Sequence, residues 1–253
     1  MKVVPDNSNS PVALVTGAAQ RLGAEICRSL HARGYRIIIH YRHSHVAADE
    51  LRGELNSLRG DSVVILAADM NSLTDVKNLA AKAISQWQRL DVLINNASGF
   101  YPTPVVSADE NDWDALFNSN LKGPFFLSQA VAPALKASTG CIVNLVDIYA
   151  QKPLSGFSIY SMAKAGVAMM TQSLALELAP DVRVNGVSPG AILWPEEETD
   201  YSIKEKQDLK QRVPLQRQGE ATDIAHTVAF LVADAPYITG QIIAVDGGRS
   251  VST

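Results

Sequence analysis

The sequence predicts an α/β fold in which seven parallel strands form one doubly wound sheet with helices on both faces. Short runs rich in Val and Ile alternate with longer amphipathic segments, and strands that are separated by helices pair in parallel. The runs are apolar at nearly every position, which is typical of strands covered on both faces. No internal repeat or low-complexity tract interrupts the alternation. We therefore predict a single domain over residues 11–253, after a disordered lead-in at residues 1–10.

The predicted strands cover residues 12–16, 36–41, 63–67, 92–95, 141–145, 183–187 and 241–245. The predicted helices cover residues 22–33, 46–58, 73–88, 112–136, 160–178 and 221–232. Residues 191–211 lie outside this alternation and are polar and rich in Glu and Lys. A polar insertion at this place favours a substrate loop or lid over a core element.

Composition excludes several classes of function. The formal net charge of −4 offers no general attraction to nucleic acid or to an anionic membrane. No apolar run approaches the length of about 18 residues that spans a bilayer, and the N-terminus lacks the apolar core of a signal peptide. Cys27 and Cys141 lie in apolar stretches, which predicts buried thiols and fits a reducing compartment. We expect a cytoplasmic protein with neither a nucleic-acid nor a membrane partner and without a metal.

A glycine-rich turn, TGAAQRLG at residues 16–23, joins the first predicted strand to the first predicted helix. Such a turn lets the backbone approach a pyrophosphate, and the helix N-terminus presents N–H groups to it. The position predicts a Rossmann-type dinucleotide site at Gly17, Arg21, Leu22 and Gly23; the alternative is an ordinary turn. Arg21 replaces the usual middle glycine. A cation near a helix N-terminus is mildly unfavourable, which indicates a phosphate partner for it.

The second predicted strand ends in HYRHS at residues 40–44. Enzymes that use NAD usually place an acid about 20 residues past the glycines to bind the ribose 2′-hydroxyl, and no acid occurs between Glu25 and Asp49. A guanidinium pairs with a phosphate through two parallel N–H bonds. The segment therefore predicts NADPH as the cofactor, and the alternative is a solvated basic turn. The residues expected around the 2′-phosphate are Arg42, His43 and Ser44, with Arg21 nearby, and Tyr41 is expected to contact the cofactor as well.

Further cofactor contacts are expected where later strands end. Asp69 follows the third strand, where it would accept from the adenine amino group or cap the next helix. Asn96 follows the fourth strand, where it would contact the ribose or brace the strand ends. The remaining expected cofactor contacts are Met70, Ala97, Ser98, Pro189, Gly190 and Ile192.

A phenol, an amine and a carboxyl group are predicted to form the catalytic centre. Tyr160 and Lys164 share one helix face, and an ammonium nearby would lower the phenol pKa from its usual value of about 10. Asp147 follows the fifth predicted strand, thirteen positions before Tyr160, so we expect both at the carboxyl edge of the sheet. The alternative for Asp147 is a turn cap in an enzyme that reduces an ordinary carbonyl. Asn120 lies in the preceding helix, where it would kink the helix and hold a water near Lys164, or serve as an ordinary polar helix residue.

These motifs together resemble the short-chain dehydrogenase/reductase family over nearly the whole chain. They are TGxxxxxG at 16–23, NNA at 95–97, Asn120, Tyr160 with Lys164, Pro189-Gly190 and DGG at 246–248. Among its members the sequence looks most like the pteridine reductases. The features that carry this likeness are GAAQRLG, HYRHS, the FYPTP run at 100–104, and Asp147 where most of the wider family has Ser.

The resemblance implies NADPH-dependent reduction of a pterin, from dihydropterin to tetrahydropterin, with dihydrofolate as a further substrate. The hydride would pass to a ring C=N carbon, Tyr160 would relay a proton to the ring nitrogen, and Asp147 would position or protonate that nitrogen. Lys164 would hold the nicotinamide ribose, and Asn120 would anchor a proton-relay water. The implied substrate contacts are Arg21, Ser98, Phe100, Asp147, Tyr160, Leu193 and Trp194, with the pterin stacked on Phe100.

Two departures and two alternative functions stay open. The order Arg42-His43 is reversed relative to the familiar pattern of these reductases, and Ile192 stands where a hydroxyl is usual. The chain could instead be a general carbonyl or 3-oxoacyl reductase. A nucleotide-binding sensor without turnover is disfavoured because it would not need Asn120, Tyr160 and Lys164. The resemblance also implies a homotetramer assembled through the two long predicted helices.

Overall fold

The computed structural model describes residues 10–192 and 211–252. These residues form one parallel sheet of seven strands in the order β3-β2-β1-β4-β5-β6-β7, which confirms the predicted fold class. The strands are β1 (Val12–Val15), β2 (Arg36–Tyr41), β3 (Val63–Ala67), β4 (Val92–Asn95), β5 (Cys141–Leu145), β6 (Arg183–Pro189) and β7 (Ile242–Val245). The chain leaves β1 toward β2 on one side and later returns to β4 on the other. This reversal creates the crevice where ligands bind in such sheets.

Helices cover both faces of the sheet, as predicted. They are α1 (Arg21–Ala32), α2 (His45–Leu58), α3 (Leu73–Trp87), α4 (Glu110–Phe117), α5 (Gly123–Ala137), α6 (Ser158–Glu177) and α7 (Ala221–Ala233). Alternate residues of β1 show the two layers. Ala13 and Val15 belong to the same core cluster as Ile26 of α1 and Val228 of α7. Val12 and Leu14 belong to a second cluster with side chains of α3, α5 and α6.

The predicted helix over residues 112–136 is not one regular α-helix, and it departs from regular geometry at Asn120, where the sequence analysis allowed for a kink. A π-helical segment, Asn118–Lys122, separates α4 from α5. The side-chain amide of Asn120 donates to the Leu116 carbonyl at 2.8 Å, where it competes with the backbone hydrogen bonds of a regular helix. Pro124, at the start of α5, has no N–H to continue the preceding turn. Single π-turns inside helices are frequent at functional sites.

A buried polar network joins the central strands to the helices beside them. The Asn95 amide in β4 donates to Asn144 Oδ1 in β5 at 2.8 Å and to Ser128 Oγ in α5 at 3.1 Å. The Asn144 amide donates to Thr171 Oγ1 in α6 at 2.9 Å. Buried and bonded in this way, these groups fix α5 and α6 relative to the strand ends. The position of α6 matters because it carries Tyr160 and Lys164.

Cys27 and Cys141 are buried free thiols, as predicted. No helix formed by residues 10–192 and 211–252 combines the length and the apolar character that a membrane crossing requires. Across the same ranges, the His, Cys, Asp and Glu side chains form no cluster of three or more that could hold a metal ion.

Candidate active site

A cleft of about 810 Å³ opens at the carboxyl edge of the sheet. It is lined by residues that follow each strand from β1 to β7. The predicted site residues that line it are Gly17, Arg21, Leu22, Gly23, Tyr41, Arg42, His43, Ser44, Asp69, Met70, Asn96, Ala97, Ser98, Phe100, Asp147, Tyr160, Lys164, Pro189, Gly190 and Ile192. Asn120 does not line the cleft, and its side chain is buried. Leu193, Trp194 and most of the predicted lid at 191–211 lie outside the described residues.

The turn after β1 has the shape that a pyrophosphate needs. Gly17 has a φ of +59°, and a Cβ there would lie 2.8 Å from the Ala97 Cα. A Cβ on Gly23 would lie 2.5 Å from the Gly17 carbonyl oxygen, so only glycine fits either position. Gln20 caps α1 without a side-chain hydrogen bond, which leaves the helix N-terminus open toward the cleft. This backbone therefore fits a dinucleotide cofactor.

Asn96 braces this turn from the end of β4. Its side-chain amide donates to the Thr16 carbonyl at 2.8 Å and to the Gly17 carbonyl at 2.9 Å. The bracing role considered for Asn96 in the sequence is thus confirmed.

Arg21 is the first residue of α1 and has a φ of +54°. A non-glycine residue in this left-handed region costs on the order of 1 kcal/mol, which explains why such loops usually carry glycine here. The Arg21 side chain lines the cleft. The strained backbone therefore coincides with a cation that faces the expected ligand.

The end of the cleft formed by Arg42 and Asp69, which we call the adenosine end, is exposed. Arg42 Nη1 lies 3.9 Å from Asp69 Oδ1, and the two side chains are 52% and 41% exposed. Asp69 Oδ1 also accepts from the backbone and side-chain amides of Asn71 at 3.0 and 2.9 Å. Ser72, not Asp69, caps α3 by accepting from the Asp75 N–H. The helix-cap alternative for Asp69 was therefore wrong, and its contact with adenine stays a prediction.

His40, which the sequence analysis did not single out, connects β2 to two neighbouring loops. Its Nδ1 accepts from the Gly17 N–H at 3.1 Å, and its Nε2 lies 3.1 Å from the Ala68 carbonyl. Both contacts require the neutral ring with the proton on Nε2. Burial lowers the His40 pKa, against the Ala68 hydrogen bond and the Asp69 charge. A lone histidine in an otherwise apolar strand was the available sign of this role.

The three predicted catalytic groups converge at the other end of the cleft, which we call the catalytic end. Tyr160 Oη donates to Asp147 Oδ2 at 2.7 Å. Asp147 Oδ1 accepts from the Tyr149 backbone N–H at 2.9 Å, so Asp147 both caps the turn Ile148–Ala150 and bonds the phenol. Lys164 Nζ donates to the Leu145 carbonyl at 2.9 Å and lies 5.7 Å from the Tyr160 ring centroid. Tyr160 and Lys164 are each only 4% exposed.

Burial controls the proton affinities of these groups. It raises the pKa of Tyr160 well above the usual value, and the Asp147 charge and hydrogen bond raise it further. The expected direction, a phenol pKa lowered by Lys164, was therefore wrong. Burial also raises the Asp147 pKa, against the Tyr149 N–H, the Tyr160 hydroxyl and the charges of Lys164 and Arg249. Burial lowers the Lys164 pKa to about 8, against the attraction of Asp147.

Asn120 holds the loop that carries Ser98. Its side-chain amide donates to the Gly99 carbonyl at 3.1 Å as well as to Leu116, and its Oδ1 accepts from the Ser98 hydroxyl. The Ser98 hydroxyl lowers the Tyr160 pKa, against the effects of burial and of Asp147. The side chain of Asn120 thus positions a hydroxyl that acts on Tyr160. The relay water expected between Asn120 and Lys164 stays a prediction.

Aromatic rings form one wall of the catalytic end. Phe100 is half exposed, and its ring stacks on Phe157 with centroids 4.6 Å apart and an interplanar angle of 16°. Its edge contact with Tyr160 has a centroid distance of 4.8 Å. A flat ligand could stack against Phe100 in this position. Phe157 does not itself line the cleft but supports the Phe100 ring, and it was not predicted because it lies outside every motif.

Tyr149 and Arg249 also line the cleft and were not predicted. Arg249 Nη2 donates to the Tyr149 hydroxyl at 3.1 Å, and the guanidinium carbon lies 5.6 Å from the Tyr149 ring centroid. Both side chains line the cleft. Their nearness to Asp147 and to the DGG motif was the only sequence sign of this pair.

Comparison with known proteins identifies the family. A family profile described as Enoyl-(Acyl carrier protein) reductase matches residues 17–250. Pteridine reductase 1 of Leishmania tarentolae is 37% identical over 96% of this chain and 97% of its own length. The 3-oxoacyl-(acyl-carrier-protein) reductase of Staphylococcus aureus is 38% identical over 93% of this chain and 96% of its own length. The matching profile and these relatives show that the chain is an oxidoreductase of the short-chain dehydrogenase/reductase family, whose reductases use a nicotinamide cofactor.

Proposed function

We propose that this enzyme uses NADPH to reduce a pterin, converting a dihydropterin to a tetrahydropterin, and that it also accepts dihydrofolate. Relatives named for pteridine reduction and for 3-oxoacyl reduction match the chain at about the same identity, so similarity alone does not choose between them. The observation that carries the proposal is the hydrogen bond from Tyr160 to the partly buried Asp147 in the cleft.

The carboxyl group of Asp147 suits a nitrogen substrate better than a ketone. A reduced ketone develops an oxyanion, which an ionised carboxylate would repel. A ring nitrogen instead gains a proton, and a carboxyl group whose pKa is raised by burial is a suitable source of it. The raised Asp147 pKa and the hydrogen bond from Tyr160 to Asp147 therefore favour saturation of a C=N bond.

The reaction adds one hydride to the ring carbon and one proton to the ring nitrogen. NADPH, when bound, would supply the hydride. Tyr160 is the group that passes the proton to nitrogen, and Asp147 holds the phenol in place and replenishes its proton. Lys164, held by the Leu145 carbonyl, would orient the nicotinamide ribose. Phe100 offers a flat face for the ring, and Ser98 and Arg21 line the cleft where its polar edge would bind.

The choice of NADPH over NADH rests on the adenosine end. Arg42, His43 and Ser44 line it, and a guanidinium there complements a 2′-phosphate. Asp69 is the carboxylate nearest to Arg42, but it is also bonded to Asn71. The reversed order Arg42-His43 keeps a guanidinium in this segment.

One assay series tests the proposal against its alternatives. NADPH oxidation would be followed with dihydrobiopterin, with dihydrofolate and with an acetoacetyl thioester, and each would be repeated with NADH. We expect turnover of the two pteridines with NADPH and much slower turnover of the thioester. Preferred reduction of the thioester would establish a 3-oxoacyl reductase, and comparable efficiency with NADH would refute the cofactor assignment. Cofactor binding without any turnover would indicate a sensor.

We further propose a cytoplasmic homotetramer assembled through the α4–α5 region and α6. Met162, Met169 and Leu176 recur at seven-residue intervals along α6 and are exposed, and Phe125 of α5 is exposed as well. Such a stripe of apolar side chains favours contact with another chain. Light scattering after size exclusion should give the mass of four chains, and Met169→Glu should lower it. A wild-type monomer at micromolar concentration would contradict the assembly.

A further inference from the structure

The turn after β7 places the side chain of Arg249 in the cleft. Asp246 Oδ1 accepts from the Gly248 N–H at 2.9 Å, and Oδ2 accepts from the Ser250 N–H at 2.6 Å. Gly247 and Gly248 have φ values of +63° and +89°, which side chains rarely allow. The resulting tight turn returns the chain toward the sheet edge, so that Arg249 lines the cleft beside the catalytic end.

Arg249 is coupled to the catalytic end through Tyr149. The guanidinium donates to the Tyr149 hydroxyl at 3.1 Å and lies against its ring. The Tyr149 backbone N–H in turn bonds Asp147 at 2.9 Å. A substrate whose ring reaches the Asp147–Tyr160 pair would therefore have Arg249 within reach of the rest of the molecule.

Among residues 10–192 and 211–252, Arg249 forms no ion pair with a carboxylate, although its charge lowers the Asp147 pKa. Two exposed arginines in this part of the chain form close ion pairs, Arg33 with Asp234 at 2.6 Å and Arg217 with Asp223 at 2.7 Å. The hydrogen bond to Tyr149 uses only one of five guanidinium donors. The remaining donors can form the two parallel bonds that a carboxylate accepts.

We propose that Arg249, steadied by Tyr149, binds a carboxylate on the substrate's side chain and selects pteridines with an anionic tail over those with a neutral one. This inference rests on the proposed pteridine reduction and narrows its substrate class. Arg249 is a specificity-determining residue in this proposal and takes no part in the hydride or proton transfer.

The test compares Arg249→Gln with wild type on dihydrofolate, whose tail is anionic, and on dihydrobiopterin, whose tail is neutral. Loss of a charge-assisted pair should lower kcat/KM for dihydrofolate by about tenfold to a hundredfold. The loss should appear in KM, with kcat nearly unchanged, and dihydrobiopterin should be affected by less than about twofold. Arg249→Lys should recover part of the dihydrofolate efficiency, because it keeps the charge without the planar fork.

Arg33→Gln is the matched control, since it removes an exposed cation that is paired with Asp234 and does not line the cleft. It should leave both efficiencies unchanged. Equal losses on both substrates in Arg249→Gln, or no loss on either, would overturn this inference while leaving pteridine reduction intact. Failure of the wild-type enzyme to reduce either pteridine would overturn the proposed function and the inference with it. Thermal melts of each variant separate these outcomes from loss of the fold.

Discussion

The ionisable groups are exposed at one end of the cleft and largely buried at the other. At the adenosine end, Arg42 and Asp69 are about half exposed and 3.9 Å apart, so water and salt screen their interaction. At the catalytic end, Tyr160 and Lys164 are almost completely buried, and burial shifts the proton affinities of Asp147, Tyr160 and Lys164. The adenosine end can thus be altered residue by residue, whereas the catalytic end behaves as a coupled unit.

The strongest test of the catalytic end is Tyr160→Phe. Removing the hydroxyl eliminates the proposed proton donor, so kcat should fall by about a thousandfold. The exposed adenosine end is unchanged, and the dissociation constant for NADPH, measured by fluorescence titration, should stay within about twofold of wild type. A variant that retains a tenth or more of wild-type turnover would remove Tyr160 from the mechanism.

Asp147→Ser tests whether the carboxyl group selects the substrate. Pterin reduction should fall by about a hundredfold, because the proton on the phenol can no longer be shared with a carboxyl group. The acetoacetyl thioester should be reduced no worse than by wild type. Asp147→Asn is the control, since it keeps the side-chain shape without the proton. Loss of NADPH binding in both variants would mean that Asp147 is structural.

At the adenosine end, Arg42→Ala should weaken NADPH binding by about tenfold through loss of a charge-assisted contact to the 2′-phosphate. NADH binding should hardly change, and the difference should shrink as the salt concentration rises. Arg52→Ala is the matched control, because Arg52 is equally exposed but pairs with Asp49 within α2. If NADPH and NADH lose equal affinity, Arg42 does not recognise the phosphate.

Lys164 makes the buried end sensitive to pH. Its pKa is lowered to about 8 in the folded enzyme, whereas an unfolded lysine keeps its proton to a pH of about 10.4. Between these values the unfolded chain binds more protons at this position, so the contribution of Lys164 to the free energy of unfolding rises with pH. In urea denaturation at several pH values, the free energy of unfolding of wild type should rise relative to that of Lys164→Met over this interval. A difference between the two unfolding free energies that does not change with pH would contradict the lowered pKa of Lys164.

The smallest expected effect concerns the strained backbone at Arg21, which lies between the two ends. Arg21→Gly should raise the free energy of unfolding by about 1 kcal/mol relative to Arg21→Ala, since glycine alone tolerates the positive φ. Both variants lose the side chain, so both should show a higher KM for the pterin. Equal unfolding free energies in urea would mean that the loop relaxes when Arg21 is replaced.

Local patterns were sufficient to predict the sheet and the turn after β1. Continuous apolar runs fix the buried strands, and the glycines at 17 and 23 stand where a Cβ would collide with neighbouring backbone. Tyr160 and Asp147 were found because parallel strands bring their carboxyl ends to one edge. In each case the physical cause of the feature lies within a short segment of the sequence.

The features that were missed depend on contacts between distant segments. The π-helical turn forms because the Asn120 amide bonds Leu116 and Gly99, which no helical periodicity reveals. The raised pKa of Tyr160 follows from burial, which sequence spacing does not measure. Arg249 meets Tyr149 across one hundred residues, so its place in the cleft required the path of the folded chain.

The ring of His40 separates the shape of the turn at Gly17 from the choice of coenzyme. Because it supports the turn at Gly17 from within β2, the shape of that turn is encoded upstream of the exposed residues at 42–44. A grafted segment that exchanges those three residues but keeps the histidine would alter coenzyme preference on an unchanged scaffold. A graft that begins two residues earlier would disturb both at once.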